Sequence, residues 1–208
     1  MPIQVLIVDD SMQSRFYMKS ALSGQERYEI RQELESAENA LLCCEISKID
    51  LVLMDVCTAD DASGLVAAAQ IKKKRPYIKI IIVTSMPEHS FIQKAKAAGC
   101  EGFWYKENEP RDLLRVMDRV MNGEIVYPDH TPKIKIGYAE SASFTERELD
   151  VIKLKAKGYS YAEIAEKLGI TERTVKYHLT QMLNRTGHET AGQLAYELLS
   201  KKIILPDY

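Results

Sequence analysis

Through residues 1–122, short apolar runs alternate with amphipathic stretches. Ile3-Gln4-Val5-Leu6-Ile7-Val8, Asp50-Leu51-Val52-Leu53-Met54 and Lys79-Ile80-Ile81-Ile82-Val83 are short, β-branched and nearly unbroken by polar residues. Strands buried on both faces of a parallel sheet read this way, because neither face meets water. Tyr28–Leu34 and Gly102–Tyr105 are two less regular strand candidates. Between strands the apolar period becomes helical. Leu113, Leu114, Val116, Met117, Val120 and Met121 share one face after Pro110, whose fixed φ suits a first helical turn. A series of about five strand–helix units predicts an open, doubly wound α/β fold, with ligands beyond the carboxyl ends of the strands.

The pattern then changes. Gly123-Glu124-Ile125-Val126-Tyr127-Pro128-Asp129-His130-Thr131-Pro132, followed by Gly137, carries helix breakers and predicts a linker over 123–142. From Phe144 onward the periodicity is helical only. Thr145-x-x-Glu148 and Ser160-x-x-Glu163 have the form of capping boxes, and Gly158 and Gly169 end the helices before them. Thr171 is placed to cap a third helix running to about Arg185, and a fourth covers Glu189 to Leu199. The predicted organisation is an α/β domain over 1–122, a linker over 123–142 and a small all-α domain over 143–208.

Composition adds limits. With 46% apolar and 28% charged residues the chain is of ordinary globular type. No apolar run approaches the ~20 residues that span a bilayer. Met1-Pro2-Ile3-Gln4-Val5 has no basic stretch of a secretory signal, so a cytoplasmic location is expected. Cys43, Cys44, Cys57 and Cys100 form no CxxC and no metal-ligand spacing with histidine, which reads as reduced thiols. The net charge of −2 divides into −2 over 1–122, −1 over 123–142 and +1 over 143–208. A polycationic nucleic-acid coat is excluded; a DNA-binding module in the last third is not.

Strand ends gather the candidate chemistry. Asp9 and Asp10 end the first strand, Asp55 the third and Thr84 the fourth, and Lys106 follows the fifth. All project at one edge of the predicted sheet. Three clustered carboxylates repel one another, and a hard cation such as Mg²⁺ relieves that repulsion. Asp55 can then act as a nucleophile toward phosphorus, with Lys106 and the Thr84 hydroxyl receiving phosphoryl oxygens. A single aspartate at a strand end is more often a cap or a turn former; five such residues in order are not.

This constellation, over residues 3 to about 122, resembles the receiver domain of two-component response regulators. The resemblance implies a flavodoxin-like doubly wound (βα)5 fold and makes Asp55 the phosphoacceptor. It further implies that Asp10, Asp55 and the backbone carbonyl of Cys57 hold Mg²⁺, with Asp9 acting through water, and that Phe103 is the switch aromatic. One departure stands out. The family usually has Pro four residues and Gly eight residues after the acceptor. Here Ala59 takes the first place and Gly64 comes nine residues on, so the loop is one residue longer and holds the acidic pair Asp60-Asp61.

In the last third, Ile164, Ala165 and Leu168 line one helix, Gly169 permits a tight turn, and Val175, Leu179, Met182 and Leu183 line the next. That is helix-turn-helix patterning, whose second helix enters the major groove. The segment resembles the LuxR-type helix-turn-helix of the NarL/FixJ family, from Phe144-Thr145-Glu146-Arg147-Glu148 through Thr174-Val175-Lys176-Tyr177-His178 to about Leu199. By that resemblance Lys176, Tyr177 and Thr180 face base edges, and Thr171, Thr174, His178 and Arg185 approach phosphates. Lysine suits guanine acceptors, while tyrosine and threonine suit hydroxyl or thymine-methyl contacts. Thr186 stands where the family often has an apolar residue, and 201–208 has no evident role.

The resulting expectation is a DNA-binding response regulator and not an enzyme, partnered by a histidine kinase and by double-stranded DNA, on which it pairs as a homodimer. Alternatives are a regulator that works without phosphorylation, the pocket having been degraded by the longer loop, and a receiver with a protein- or RNA-binding helical module. An aspartyl phosphatase or hydrolase reading lacks support, because Asp55-Val56-Cys57 has no second acid of an Asp-x-Asp pair.

Overall fold

A computed structural model describes residues 1–87, 89–106, 108–201 and 203–204, with all their side chains but those of Asp61, His89 and Pro110. The chain divides into two compact units whose boundary along the sequence falls between His130 and Thr131.

In the first unit the order is β1 (Ile3–Val8), α1 (Met12–Leu22), β2 (Tyr28–Leu34), α2 (Ala40–Ile46), β3 (Leu51–Met54), α3 (Gly64–Lys74), β4 (Lys79–Thr84), α4 (His89–Ala97), β5 (Gly102–Tyr105) and α5 (Pro110–Met121). The strands form one sheet in the order β2-β1-β3-β4-β5, parallel at every pairing. The expected doubly wound fold is therefore present, both less regular strands included. Val5, Ile7, Leu51, Leu53, Ile81 and Val83 pack with Met18 of α1 and with Leu113, Met117 and Val120 of α5. Leu6, Val52, Ile80 and Ile82, one residue out of phase, are just as buried toward the opposite side of the sheet. Burial on both faces explains why these strands show no polar alternation. In this strand order the winding reverses between β1 and β3, so the crevice at their carboxyl ends is the natural ligand site.

The predicted linker carries structure of its own, because its apolar residues find cover. Val126 is buried in the core of the first unit and pairs with Gly102 at the edge of β5. Beyond the boundary, β6 (Lys135–Ile136) and β7 (Ala139–Glu140) make an antiparallel hairpin. Gly137 turns it at φ +53°, and a Cβ there would lie 2.0 Å from the Thr186 carbonyl oxygen. Only glycine fits that approach.

The second unit continues with α6 (Glu146–Ala156), α7 (Tyr161–Leu168), α8 (Glu172–Thr186) and α9 (Ala191–Ser200). Both predicted capping boxes are formed, at Thr145/Glu148 and Ser160/Glu163, and a third occurs at Thr190/Gln193. Gly169 caps α7 in the left-handed region at φ 63°. Val151, Ile164, Val175, Met182, Leu194 and Leu198 meet in one core, joined by Ile203 and Ile204. The first residues of the C-terminal tail thus close the core; 205–208 lie outside the described residues. Thr186 is fully buried, yet its hydroxyl donates to the Met182 carbonyl at 2.8 Å, so the polar group expected to weaken packing is satisfied within its own helix.

Candidate functional site

The backbone ladder sets the acidic pocket. Val8 lies opposite Met54, and the Asp55 amide donates to the Val8 carbonyl at 2.8 Å, which seats Asp55 beside Asp9. On the other flank Thr84 lies opposite Tyr105, and the Lys106 amide donates to the Thr84 carbonyl at 2.9 Å. The side chains then converge. Lys106 Nζ lies 2.7 Å from Asp55 Oδ2 and 2.6 Å from Asp9 Oδ2. The second oxygens are held by backbone, Asp55 Oδ1 by the Val56 amide at 2.7 Å and Asp9 Oδ1 by the Ser11 amide at 3.0 Å. Asp9 and Thr84 are fully buried, Asp55 nearly so, and Asp10 is exposed at the mouth.

Carboxylate oxygens of Asp9, Asp10 and Asp55 lie within 4.8 Å of one another, close enough to share one ion. Hard oxygen donors at this spacing fit a hard divalent cation. Cys57, whose carbonyl is the remaining expected ligand, sits two residues past Asp55 in an isolated bridge with Ser63.

Electrostatics follows from burial. Desolvation raises Asp55 from 3.8 to about 6; the nearby Lys106 ammonium opposes that rise and the Asp9 carboxylate adds to it. Burial works against the charge of Lys106, but the combined pull of Asp55 and Asp9 outweighs it and raises the ammonium above its ordinary value. The pocket therefore holds a cation that stays charged beside a carboxylate whose charge is costly.

The longer loop after Asp55 is accommodated locally. Residues 59–61 form a short 3-10 turn in which Asp60 takes φ 60°, a left-handed conformation open to aspartate and rare for most residues. The Thr58 hydroxyl ties this loop down, accepting from the Ala37 amide and donating to the Ala62 carbonyl, both at 2.8 Å. Gly64 re-enters so close to Asp55 that a Cβ would lie 1.8 Å from the Asp55 carbonyl oxygen. Glycine is thus required at the ninth position here, and the extra residue is absorbed before it. Of the predicted acidic pair, the Asp61 side chain lies outside the described residues.

Phe103 is buried three residues before Lys106, its ring edge-on to Tyr105 at 5.0 Å and stacked with Tyr127 at 6.3 Å. Sequence reasoning missed Arg15. Its guanidinium is nearly buried and donates to the Asp9 carbonyl at 2.7 Å and the Asp10 carbonyl at 3.2 Å, while pairing with Glu35 at 2.7 Å. It braces the backbone that carries two of the three clustered acids. The available signal was an arginine one helical turn into α1, right after the acidic pair.

The second candidate surface is the outer face of α8. Lys176, Tyr177 and Thr180 are exposed, as are Arg173, Gln181 and Asn184, which the sequence reading did not single out. Val175, Leu179 and Met182 are buried, so the helix separates a core stripe from a solvated one. Thr171 is the N-cap of α8: its hydroxyl oxygen accepts from the Thr174 amide at 3.1 Å. Tyr177 and the half-buried His178 meet edge to face at 5.9 Å. Lys176 lies 5.5 Å above the Tyr161 ring of α7. Arg185 donates to Glu148 Oε1 at 2.6 Å and lies 5.3 Å over the Phe144 ring, which ties α8 to α6 while 34% of its side chain stays exposed. A charge-assisted hydrogen bond to a nearly buried carboxylate outcompetes solvent for that guanidinium.

Comparison with known proteins assigns a family model to part of each unit. Residues 5–118 match the model of the response regulator receiver domain, and residues 142–195 that of the LuxR family of bacterial regulatory proteins. The response regulator protein VraR of Staphylococcus aureus is 35% identical over 190 residues, covering 89% of this chain and 90% of the relative. VraR of Staphylococcus epidermidis is equally similar. Among solved structures, the RcsB response regulator of Salmonella typhimurium aligns over 95% of this chain and 98% of its own, with TM-score 0.58 at 22% identity. RcsB in a DNA complex aligns over 97% and 99%, with TM-score 0.64 at 20% identity. With both family models matched in order and VraR similar along nine-tenths of its length, the chain belongs to the NarL/FixJ-type response regulators, in which a receiver domain precedes a LuxR-type helix-turn-helix domain.

Proposed function

We propose that Asp55 accepts a phosphoryl group from a partner histidine kinase, and that this modification controls sequence-specific binding of the helical unit to double-stranded DNA as a homodimer. The receiver assignment corresponds to the first unit and the DNA-binding assignment to the second. The observation that carries the proposal is the meeting of Asp9, Asp55 and Lys106 within 2.7 Å contacts at the β1/β3 switch point, beside Thr84.

The chain's own groups divide the work. A carboxylate oxygen of Asp55 attacks phosphorus as the P–N bond of the donor phosphohistidine breaks, and the leaving imidazole recovers a proton from solvent. Lys106 and the Thr84 hydroxyl receive the phosphoryl oxygens, while Asp10, Asp55 and the Cys57 carbonyl would hold the ion, with Asp9 acting through water. Bound there, Mg²⁺ supplies charge stabilisation and orientation for in-line transfer. The phosphoryl group brings extra negative charge, about −1.5 to −2 for an ordinary phosphorylated hydroxyl, next to Lys106 and Thr84, enough to bias a two-state element.

On the DNA side, RcsB has been solved as dimers bound to DNA, which supports an analogous engagement here. Lys176, Tyr177 and Thr180 would read base edges, with Thr171, Thr174, His178 and Arg185 near phosphates. The described residues hold no helix long and apolar enough to cross a membrane.

Incubation with acetyl phosphate and Mg²⁺ is expected to add one phosphoryl group to the full chain and none to Asp55→Asn, read by intact mass. Equal modification of both proteins refutes the acceptor assignment.

A further inference from the structure

Directly after α5 the chain does not leave the first unit. Glu124 stays tethered to α5, with its amide donating to the Arg119 carbonyl at 3.0 Å and its carboxylate accepting from Arg119 Nε at 2.8 Å. The next residues run along the open edge of β5. The Val126 amide donates to the Glu101 carbonyl at 2.8 Å, and the Phe103 amide donates to the Val126 carbonyl at 2.9 Å. Val126 lies parallel to Gly102, and its side chain is buried in the same core as Val120 and Trp104. Tyr127 adds two contacts: its hydroxyl donates to the Cys100 carbonyl at 2.9 Å, and its ring stacks with Phe103. These residues add one isolated parallel bridge to the edge of the sheet, gripping β5 by its backbone and by the Phe103 ring.

That grip falls on the strand that ends in Lys106, the ammonium shared by Asp9 and Asp55. A new anion on Asp55 would compete for Lys106, which directly follows β5. The strap is also held lightly. Beyond the Glu124–Arg119 tie and the Tyr127 hydroxyl and ring contacts, two ladder hydrogen bonds and one buried aliphatic side chain secure it, while Ile125 stays 74% exposed. Segments with so few buried contacts open locally without unfolding the domain.

We propose that Glu124–Tyr127 is a docked strap coupled to the phosphoacceptor, with Tyr127 as the positioning residue that joins Phe103 to the chain entering the second unit. The inference rests on Asp55 being the acceptor. An anion at Asp55 draws on Lys106 and steadies β5, and a steadied β5 holds the strap. By linkage, a strap that is favoured by the anion must favour the anion in return.

The test uses the full chain with Mg²⁺, with and without beryllofluoride as phosphoryl mimic. Amide hydrogen exchange is followed at Val126 and Phe103, and beryllofluoride affinity by calorimetry. Exchange at both amides is expected to slow about 5-fold or more with beryllofluoride, the lower end of ordinary allosteric coupling. Tyr127→Ala is expected to weaken beryllofluoride binding by a similar factor, with Mg²⁺ affinity unchanged. Tyr127→Phe, which keeps the ring stack, restores it. Beryllofluoride binding with unchanged or faster exchange overturns the strap while leaving the acceptor intact. Failure of the wild-type chain to bind beryllofluoride overturns the acceptor assignment and the strap with it.

Discussion

The two units place their functional groups on opposite sides of the solvent boundary. In the receiver, the working residues are inside: Asp9, Asp55 and Thr84 are buried, and Lys106 is spent on neutralising two carboxylates. In the helical unit, Lys176, Tyr177 and Thr180 stand in water, and the core is mostly apolar, with buried Thr186 and Glu148 hydrogen-bonded within it. A buried site must be built at some expense to folding, whereas an exposed one can be changed without touching the fold. Function and stability should therefore be entangled in the first unit and separable in the second, and each half of that contrast can be broken by substitution.

The largest effect is expected where the helical unit departs from its own rule. Glu148 accepts from the Thr145 amide at 2.9 Å and from the Thr145 hydroxyl at 3.1 Å, and it pairs with Arg185. Glu148→Ala removes half of a capping box and orphans a guanidinium whose Nε is buried without a partner. With Arg185 34% exposed, losing the pair and half of the box should together cost about 2–4 kcal/mol. Urea unfolding of the full chain by circular dichroism measures this, and adding Arg185→Met should recover part of the loss. A loss below about 1 kcal/mol would mean that the pair is solvated and Arg185 free to meet phosphate after all.

Next comes Asp55, the proposed acceptor. The carboxyl of Asp55, lifted from 3.8 to about 6, binds its proton more tightly in the folded protein than in the unfolded chain. Native stability from this group is therefore full below about pH 4 and is lost as pH rises toward 6, on the order of 1–3 kcal/mol. With divalent ions chelated, Asp55→Asn should be more stable than wild type at pH 7.5 by that amount, and the gap should close near pH 4. Thermal unfolding at both pH values checks it. An asparagine variant that is less stable at pH 7.5 would show that the Lys106 contact outweighs desolvation, and that the pocket is not strained.

How far the chain could be read in advance follows the same division. The strands were legible because burial on both faces writes itself into a run of β-branched residues, and even Gly102–Tyr105 emerged once its place in the series was considered. The helix starts were legible because a capping box is a local rule, satisfied by residues three apart. Long-range polar bonds were not. That Arg185 turns inward depends on Glu148, 37 positions away, and that Arg15 braces the Asp9–Asp10 backbone depends on how α1 leaves β1. Nor does sequence show that Val126 finds a strand edge, since the same residues in water would be a plain linker. Solvated contacts to absent partners, such as those of Tyr177, were assignable only through family resemblance.

The smallest effect on folding, and the cleanest test of separability, lies on α8. Lys176 is exposed, and its nearest described aromatic partner is the Tyr161 ring at 5.5 Å, an arrangement that contributes about 0.5–1 kcal/mol at most in water. Lys176→Ala should therefore leave urea unfolding within about 0.5 kcal/mol of wild type. Its effect on binding a selected operator should be larger, roughly 1–3 kcal/mol if the ammonium reads a base edge, and concentrated on a few base positions. Tyr177→Ala and Thr180→Ala should behave alike, each relaxing preference at a different position. A uniform loss across all sequences, with a shallower salt dependence, would instead move Lys176 from the bases to the phosphates. A loss of folding stability matching the loss of binding would erase the contrast between the two units, because the recognition face would then be part of the fold it was thought only to decorate.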